Sequence, residues 1–188
     1  MRDIPLTMSR PDLGNLPVYG CPLGFAVRSY APGDAATWAA IEAKAGPFAT
    51  EADALAHFET EFAPHAGQLP GRMLFLVGAA GPIGTTTAWF GEFKGRRCGR
   101  IHWVAILPAF QGRGLAKPLL SAAMARIAAK HACVYLTTET TSWRGINLYL
   151  GFGFEPVVET PLDREGWAIV EEVLGKPIAS PRRQTRPH

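Results

Sequence analysis

The chain is poor in cysteine and poor in charge. Its three cysteines (Cys21, Cys98 and Cys133) are an odd number with no CxxC pair, which argues against a disulfide framework and for a reduced, cytoplasmic setting. The five histidines (His57, His65, His102, His131 and His188) stand at no ligand spacing to those cysteines, so no metal site is expected. Charged residues make up 19% and the formal net charge is +3, which excludes a highly charged nucleic-acid arm. A hydrophobic share of 47% excludes a disordered chain. No run approaches the about 18 apolar residues of a membrane helix. The opening Met1-Arg2-Asp3-Ile4-Pro5 lacks the apolar core of a signal peptide.

What is present fits one domain of ordinary size. Residues 1–22 carry Pro5, Pro11, Pro17 and Pro22 with Gly14 and Gly20, a spacing that reads as a surface arm without regular structure. Residues 23–174 read as the single domain. Residues 175–188 hold Lys176, Arg182, Arg183 and Arg186 with three prolines and no acid, a solvated basic tail lacking the interleaved aromatics of a nucleic-acid binder.

Within the domain, Phe25–Tyr30 alternates as a short strand. Asp34 is placed to cap a helix that Gly46-Pro47 ends. Thr50 caps a second helix with Leu55, Phe58 and Phe62 as its apolar stripe. The acids Glu51, Asp53, Glu59 and Glu61 on that helix read as a solvated face. Arg72–Val77 and Ile83–Phe93 form a hairpin, and Arg100–Leu107 is a third strand. Helix Gly114–Lys130, strand Cys133–Thr138, helix Trp143–Leu150 and strand Phe154–Val158 follow, with a weaker helical pattern over Asp163–Leu174. The order β-α-α-β-β-β-α-β-α-β predicts an α/β protein. Its mixed central sheet has six to seven strands, with antiparallel pairing in the middle, one right-handed crossover and helices on both faces.

One segment carries specific chemistry. The strand ending at Ile106-Leu107 runs into Pro108-Ala109-Phe110-Gln111-Gly112-Arg113-Gly114-Leu115-Ala116 and then a helix. The first N–H groups of a helix have no internal acceptor and sit at the positive end of its dipole. Gly112 and Gly114 remove side chains that would hold an anion away. Arg113 and Lys117 add positive charge. The turn is a receptor for a phosphate or pyrophosphate, with neither the spacing of a P-loop nor that of a dinucleotide fingerprint.

As it stands, Ile106-x-Pro108-x-x-Gln111-x-x-Gly114-x-Ala116 resembles the acetyl-CoA signature of the GNAT superfamily of N-acetyltransferases. Leu148-Tyr149-Leu150-Gly151-Phe152-Gly153-Phe154 resembles that family's downstream Leu-Tyr-x-x-x-Gly-Phe. The likeness covers about residues 24 to 158. It implies the GNAT fold and an enzyme that moves the acetyl group of acetyl-CoA, its cosubstrate, to a primary amine of a small molecule in a ternary complex. The amides of Gln111, Gly112, Arg113, Gly114, Leu115 and Ala116 are then expected to hold the pyrophosphate, and Ile106 and Leu107 to pair with the pantetheine arm. A bulge is expected to splay that strand and present an N–H to the thioester carbonyl.

The resemblance makes Tyr149 the general acid at the departing thiolate; the plain alternative is a half-buried ring. His102 is the better base. It lies four residues before Ile106, on the same face of an alternating strand, with an ordinary pKa suited to the task. Otherwise it is a packed strand histidine. Glu92 is the second candidate base. Ser142 stands where the family often has a cofactor-contacting asparagine and could cap the following helix. Gly145 replaces a usual alanine. Phe48, Trp89, Phe90 and Trp103 read as core or as the lining of a site for a partly apolar amine. A protein or peptide N-acetyltransferase and a non-catalytic acetyl-CoA sensor of the same fold are the alternatives. No nucleic acid, membrane or metal enters the reading, and the resemblance is compatible with a homodimer.

Overall fold

A computed structural model describes residues 1–178. The tail proposed for 175–188 therefore lies outside the described residues from position 179 onward. The chain forms two compact units, one from Gly14–Ala132 and one from Met1–Leu13 with the described part of Cys133–His188.

The first unit contains β2 (Ala26–Ser29), α1 (Asp34–Ala45), α2 (Glu51–Glu61), β3 (Met73–Gly78), β4 (Gly81–Phe93), β5 (Arg96–Ile106) and α3 (Ala116–Ala128). Its four strands pair antiparallel in the order β2-β3-β4-β5. Helices cover both faces. Trp38, Ile41, Phe58 and Phe62 of the α1–α2 region pack with Met73, Phe75, Trp89 and Ala105 into one buried cluster. On the other face Ile127 of α3 fits against Gly99, where a Cβ would meet it at 2.3 Å. Leu74 and Leu76, buried between the alternate members of β3, belong to that second face. This explains the unbroken apolar run in β3: both faces are covered. Thr50 caps α2 as expected, accepting from Asp53 N–H at 3.1 Å. At α1 the cap position is Gly33, with φ of +97°. Asp34 is the first helical residue and uses its carboxylate on Arg28 and on the Ala31 N–H.

The second unit contains β1 (Pro5–Arg10), β6 (Val134–Glu139), α4 (Trp143–Gly151), β7 (Glu155–Val157) and α5 (Pro161–Leu174). β1 is the correction to the expected unstructured arm. It runs antiparallel to both β6 and β7, from Pro5 opposite Glu139 to Arg10 opposite Val134, and from Thr7 opposite Val157 to Ser9 opposite Glu155. Ile4, Leu6 and Met8 are buried at every second position, a strand period the proline count obscured. Pro5 begins the strand and Pro11 follows it, so neither interrupts its interior. The weak helical pattern after Asp163 is α5, opened by a capping box in which Thr160 and Asp163 bond reciprocally. α5 lies on β1: a Cβ on Gly166 would meet Leu6 and Ile4 at 2.8 and 3.1 Å.

Among the described residues, seven strands and five α-helices contain the expected order, with β1 added before it and α5 after it. Cys98 and Cys133 are disulfide-bonded and Cys21 is free, which corrects the expectation of three reduced thiols.

Candidate active site

The turn read from the sequence as an anion receptor lies wholly in the first unit. After β5, Pro108–Phe110 makes a short 3-10 turn, Gly112 and Gly114 sit at φ of +72° and +73°, and α3 begins at Ala116. A Cβ at either glycine would meet nothing within 4 Å, so it is the left-handed backbone, not crowding, that requires glycine. Gln111 N–H is spent on Pro108 C=O at 3.2 Å and Lys117 N–H on Gly114 C=O at 3.1 Å. Between them the amides of Gly112, Arg113, Gly114, Leu115 and Ala116 have no hydrogen-bond acceptor among the described residues. The first turn of α3 holds no acidic residue and its start has no side-chain cap. Five free donors at a helix start, with open space above two glycines, fit a diphosphate. The expectation narrows by one member, Gln111, whose amide is already used.

The Gln111 side chain does something else. Its Nε2 donates to Ile106 C=O at 2.8 Å and ties the turn to the end of β5. Leu107 is also corrected as a partner for an extended ligand. Its N–H goes to Ile83 C=O and its C=O accepts from Phe110 N–H, both at 2.8 Å. Ile106 is opposite Gly84, one step from that hydrogen-bonded pair, so its backbone groups point away from β4. Arg113 lies over the rings of Phe25 and Phe110, and Lys117 over Tyr19. These contacts steady the two cations beside the turn.

The expected bulge is in β5. Thr87 pairs with His102 but Thr85 pairs with Ala105, so β5 holds one extra residue in the interval of Trp103 and Val104. Trp103 sits at φ of +51°, a left-handed conformation rare for a bulky residue. The bulge overturns the face argument for His102. Its partner Thr87 is three residues from Gly84, the partner of Ile106, so His102 and Ile106 lie on opposite faces. His102 faces the helices α1 and α2.

There it meets a residue that sequence reasoning set aside. Glu61, read as part of a solvated acidic face, turns inward. Its Oε1 accepts from His102 Nε2 at 2.5 Å, and its Oε2 accepts from Trp103 Nε1 at 2.7 Å and from His57 Nε2 at 2.8 Å. Burial pushes the Glu61 carboxyl up, but the three donors outweigh burial and hold it down at about 2. For His102, burial lowers the pKa more than the Glu61 carboxylate raises it, and Arg100 lowers it further. Burial thus favours the neutral ring; with the Glu61 carboxylate ionised, Nε2–H is donated to it and Nδ1 of that ring carries the lone pair. The missed signal was spacing: Ala54, Phe58 and Glu61 fall on one stripe of α2, so the acid occupies a core-facing position.

Phe48, His57 and Trp103 meet pairwise at ring-centroid distances of 5.0–5.3 Å, tilted or edge-on to one another. Trp89 is buried core, while Phe48, Phe90 and Trp103 are half-buried on its edge. Glu92 is not brought to His102. It is exposed, pairs with Arg97 at the far end of the β4–β5 ladder and lines a separate cavity of about 370 Å³ with Phe90, Gly91, Gly95 and Arg97.

In the second unit, Tyr149 is buried in α4 with its ring edge-on to Phe154 at 6.0 Å. Gly145 lies one turn before it, where a Cβ would sit 3.5 Å from the ring. Ser142 precedes α4 but makes no capping hydrogen bond, against expectation; its ψ of +29° is not the extended geometry a cap needs.

The model of the acetyltransferase (GNAT) family matches residues 37–154, more than half of the chain. The chain belongs to that family. Among solved structures it is similar to a GCN5-related N-acetyltransferase from Sphaerobacter thermophilus, at 25% identity over 83% of this chain and 50% of that one, with a TM-score of 0.63. A GCN5-related N-acetyltransferase from Ralstonia eutropha JMP134 matches at 21% identity, over 73% of this chain and 96% of that one, with a TM-score of 0.54. A tandem GNAT protein from the clavulanic acid biosynthesis pathway matches at 16% identity, over 81% of this chain and 50% of that one, with a TM-score of 0.58. The latter two show the fold alone. This chain spans about half the length of the first two structures it matches. No curated protein matches it. Among the described residues no helix is long and apolar enough to cross a membrane, and no group of three or more His, Cys, Asp or Glu could hold a metal ion.

Proposed function

We propose that this GNAT chain transfers the acetyl group of acetyl-CoA to a primary amine of a small molecule. The observation that carries the reading is the run of five unpaired amides from Gly112 to Ala116 at an acid-free helix start. These amides, with Arg113 and Lys117, would hold the pyrophosphate, and the Ile106 N–H, which points away from β4, the pantetheine arm. Acetyl-CoA supplies a thioester whose C–S bond breaks as the N–C bond to the amine forms. His102 takes the proton the amine loses, through Nδ1 or through one water. Tyr149 gives a proton to the departing thiolate, a role that rests on its place in the Leu148–Phe154 motif. The bulge at Trp103 and Val104 offers a backbone N–H to the thioester carbonyl. Ser142 remains a cofactor contact by position only.

The inward turn of Glu61 removes one of the four acids a basic peptide would have met on α2, which favours a small amine over a protein substrate. The bonded state of Cys98 and Cys133 removes the reduced cysteines on which the cytoplasmic expectation rested, so the reading assigns the reaction to no compartment. A panel of primary amines assayed with acetyl-CoA, reading free thiol release, tests the proposal. Turnover is expected with at least one small amine, and Tyr149→Phe is expected to lower turnover while coenzyme A still binds. Binding without turnover across the panel would leave a sensor in its place.

A further inference from the structure

We infer that Glu61 is a positioning residue for the proposed base, fixing the tautomer of His102 and, through Trp103, the bulge that aims it. The inference rests on the acetyltransferase reading above and adds a residue to it.

Neighbouring side chains in a regular strand point to opposite faces. His102 and Trp103 are neighbours in β5, yet both donate to the carboxylate of Glu61, at 2.5 and 2.7 Å. The left-handed backbone of Trp103 makes this geometry, and the carboxylate is its anchor. One acid thus links α2 to two consecutive residues of the bulge. Both of its oxygens are engaged within the protein, Oε2 twice.

The chemical consequence falls on His102. An ionised carboxylate accepts and cannot donate, so the Nε2 that faces it carries the hydrogen and Nδ1 is left bare. Without Glu61 the ring would be free to hold its proton on either nitrogen. When Nδ1 takes a proton from the acceptor ammonium, the imidazolium that forms lies against a negative charge already in place, with no reorganisation. The proton stays on Nδ1 until solvent removes it, and no bond to Glu61 is made or broken. The groups facing His102 are Glu61 and His57 from α2 and Arg100 from its own strand; Arg100 and His57 oppose its protonation and Glu61 favours it. Thr87, its partner across the ladder, has a fully buried hydroxyl with no protein partner, a polar group on the same face beside the ring.

Nitrogen-15 NMR of the histidine rings in the full chain tests this directly, alongside the pH dependence of kcat/KM with an amine found in the panel above. The wild-type chain is expected to show His102 as the Nε2–H tautomer. Glu61→Gln should mix the tautomers and lower the His102 pKa. It should also shift the acid limb of kcat/KM downward in pH, cut its plateau by roughly a hundredfold and leave the KM for acetyl-CoA unchanged. Trp103→Phe, which removes only the indole donor, should keep the wild-type tautomer and acid limb. An Nδ1–H tautomer in the wild type would overturn the inference without any variant. So would a Glu61→Gln chain with unaltered tautomer, limb and plateau. Should no amine be turned over, the transferase reading fails, and the tautomer measurement still decides the role of Glu61.

Discussion

Trp103 donates its indole N–H to Glu61 at 2.7 Å from a backbone position with φ of +51°. A bulky residue in that conformation costs on the order of 1–2 kcal/mol, and a hydrogen bond to a charged acceptor offsets it by about 1.5–3 kcal/mol. Trp103→Phe keeps the strain and most of the packing but loses the donor. It is expected to destabilise the chain by about 1–3 kcal/mol, read as a fall in the urea midpoint with an unchanged m-value.

Glu42 of α1 gives a second, independent expectation. It is 2% exposed, its Oε1 has no partner, and burial alone pushes its pKa from 4.5 to about 8. The folded chain therefore holds a proton there that the unfolded chain releases from pH 4.5 upward. Between pH 4.5 and 8 the folded state binds more protons, so stability falls as pH rises and levels off above 8. Glu42→Gln removes the titration. Relative to the wild type it is expected to gain stability from pH 5 to pH 8, by about 4–5 kcal/mol at most. Chemical denaturation of both chains across that range is the check, and parallel curves would refute it.

The turn before α3 should be sensitive to a single methyl group. Gly114→Ala introduces a Cβ into open space, so crowding is not the issue; the positive φ is. The substitution is expected to cost about 1 kcal/mol of stability. By turning the Gly114 and Leu115 amides it should also weaken coenzyme A binding about tenfold or more. Gln111→Ala, which unties the turn from the end of β5, should weaken binding with a smaller loss of stability. Calorimetric titration with coenzyme A separates the two.

Gly145 offers the opposite sign. It lies inside α4 with an ordinary φ, and a Cβ there would meet the Tyr149 ring at 3.5–3.8 Å, ordinary contact. Gly145→Ala is expected to raise stability by up to about 1 kcal/mol, seen as a higher Tm with the Tyr149 ring kept in place.

The sequence was legible where one local cause decides the structure. Apolar runs, Thr50 and the glycine turn at Gly112 and Gly114 all report on their own neighbourhood. Its period of two would have shown β1, but the prolines at its ends drew attention from Ile4, Leu6 and Met8. What remained hidden depends on a partner distant in the chain. No local pattern announces a bulge in which Trp103 takes a left-handed backbone, and that one extra residue moved His102 to the face opposite Ile106. Glu61 was hidden for the same reason: 41 residues separate it from the histidine it faces. The spent amide of Gln111 and the paired backbone of Leu107 are likewise visible only once the turn is built.

The central claim is that the amides from Gly112 to Ala116 grip the diphosphate of coenzyme A. Amide chemical-shift mapping of the nitrogen-15-labelled chain during titration with coenzyme A tests it most directly. The expected result is saturable, downfield movement concentrated on those five amides, with Gln111 N–H, already bonded to Pro108, moving least. Saturable binding that leaves them still, or no binding at millimolar coenzyme A, would contradict it.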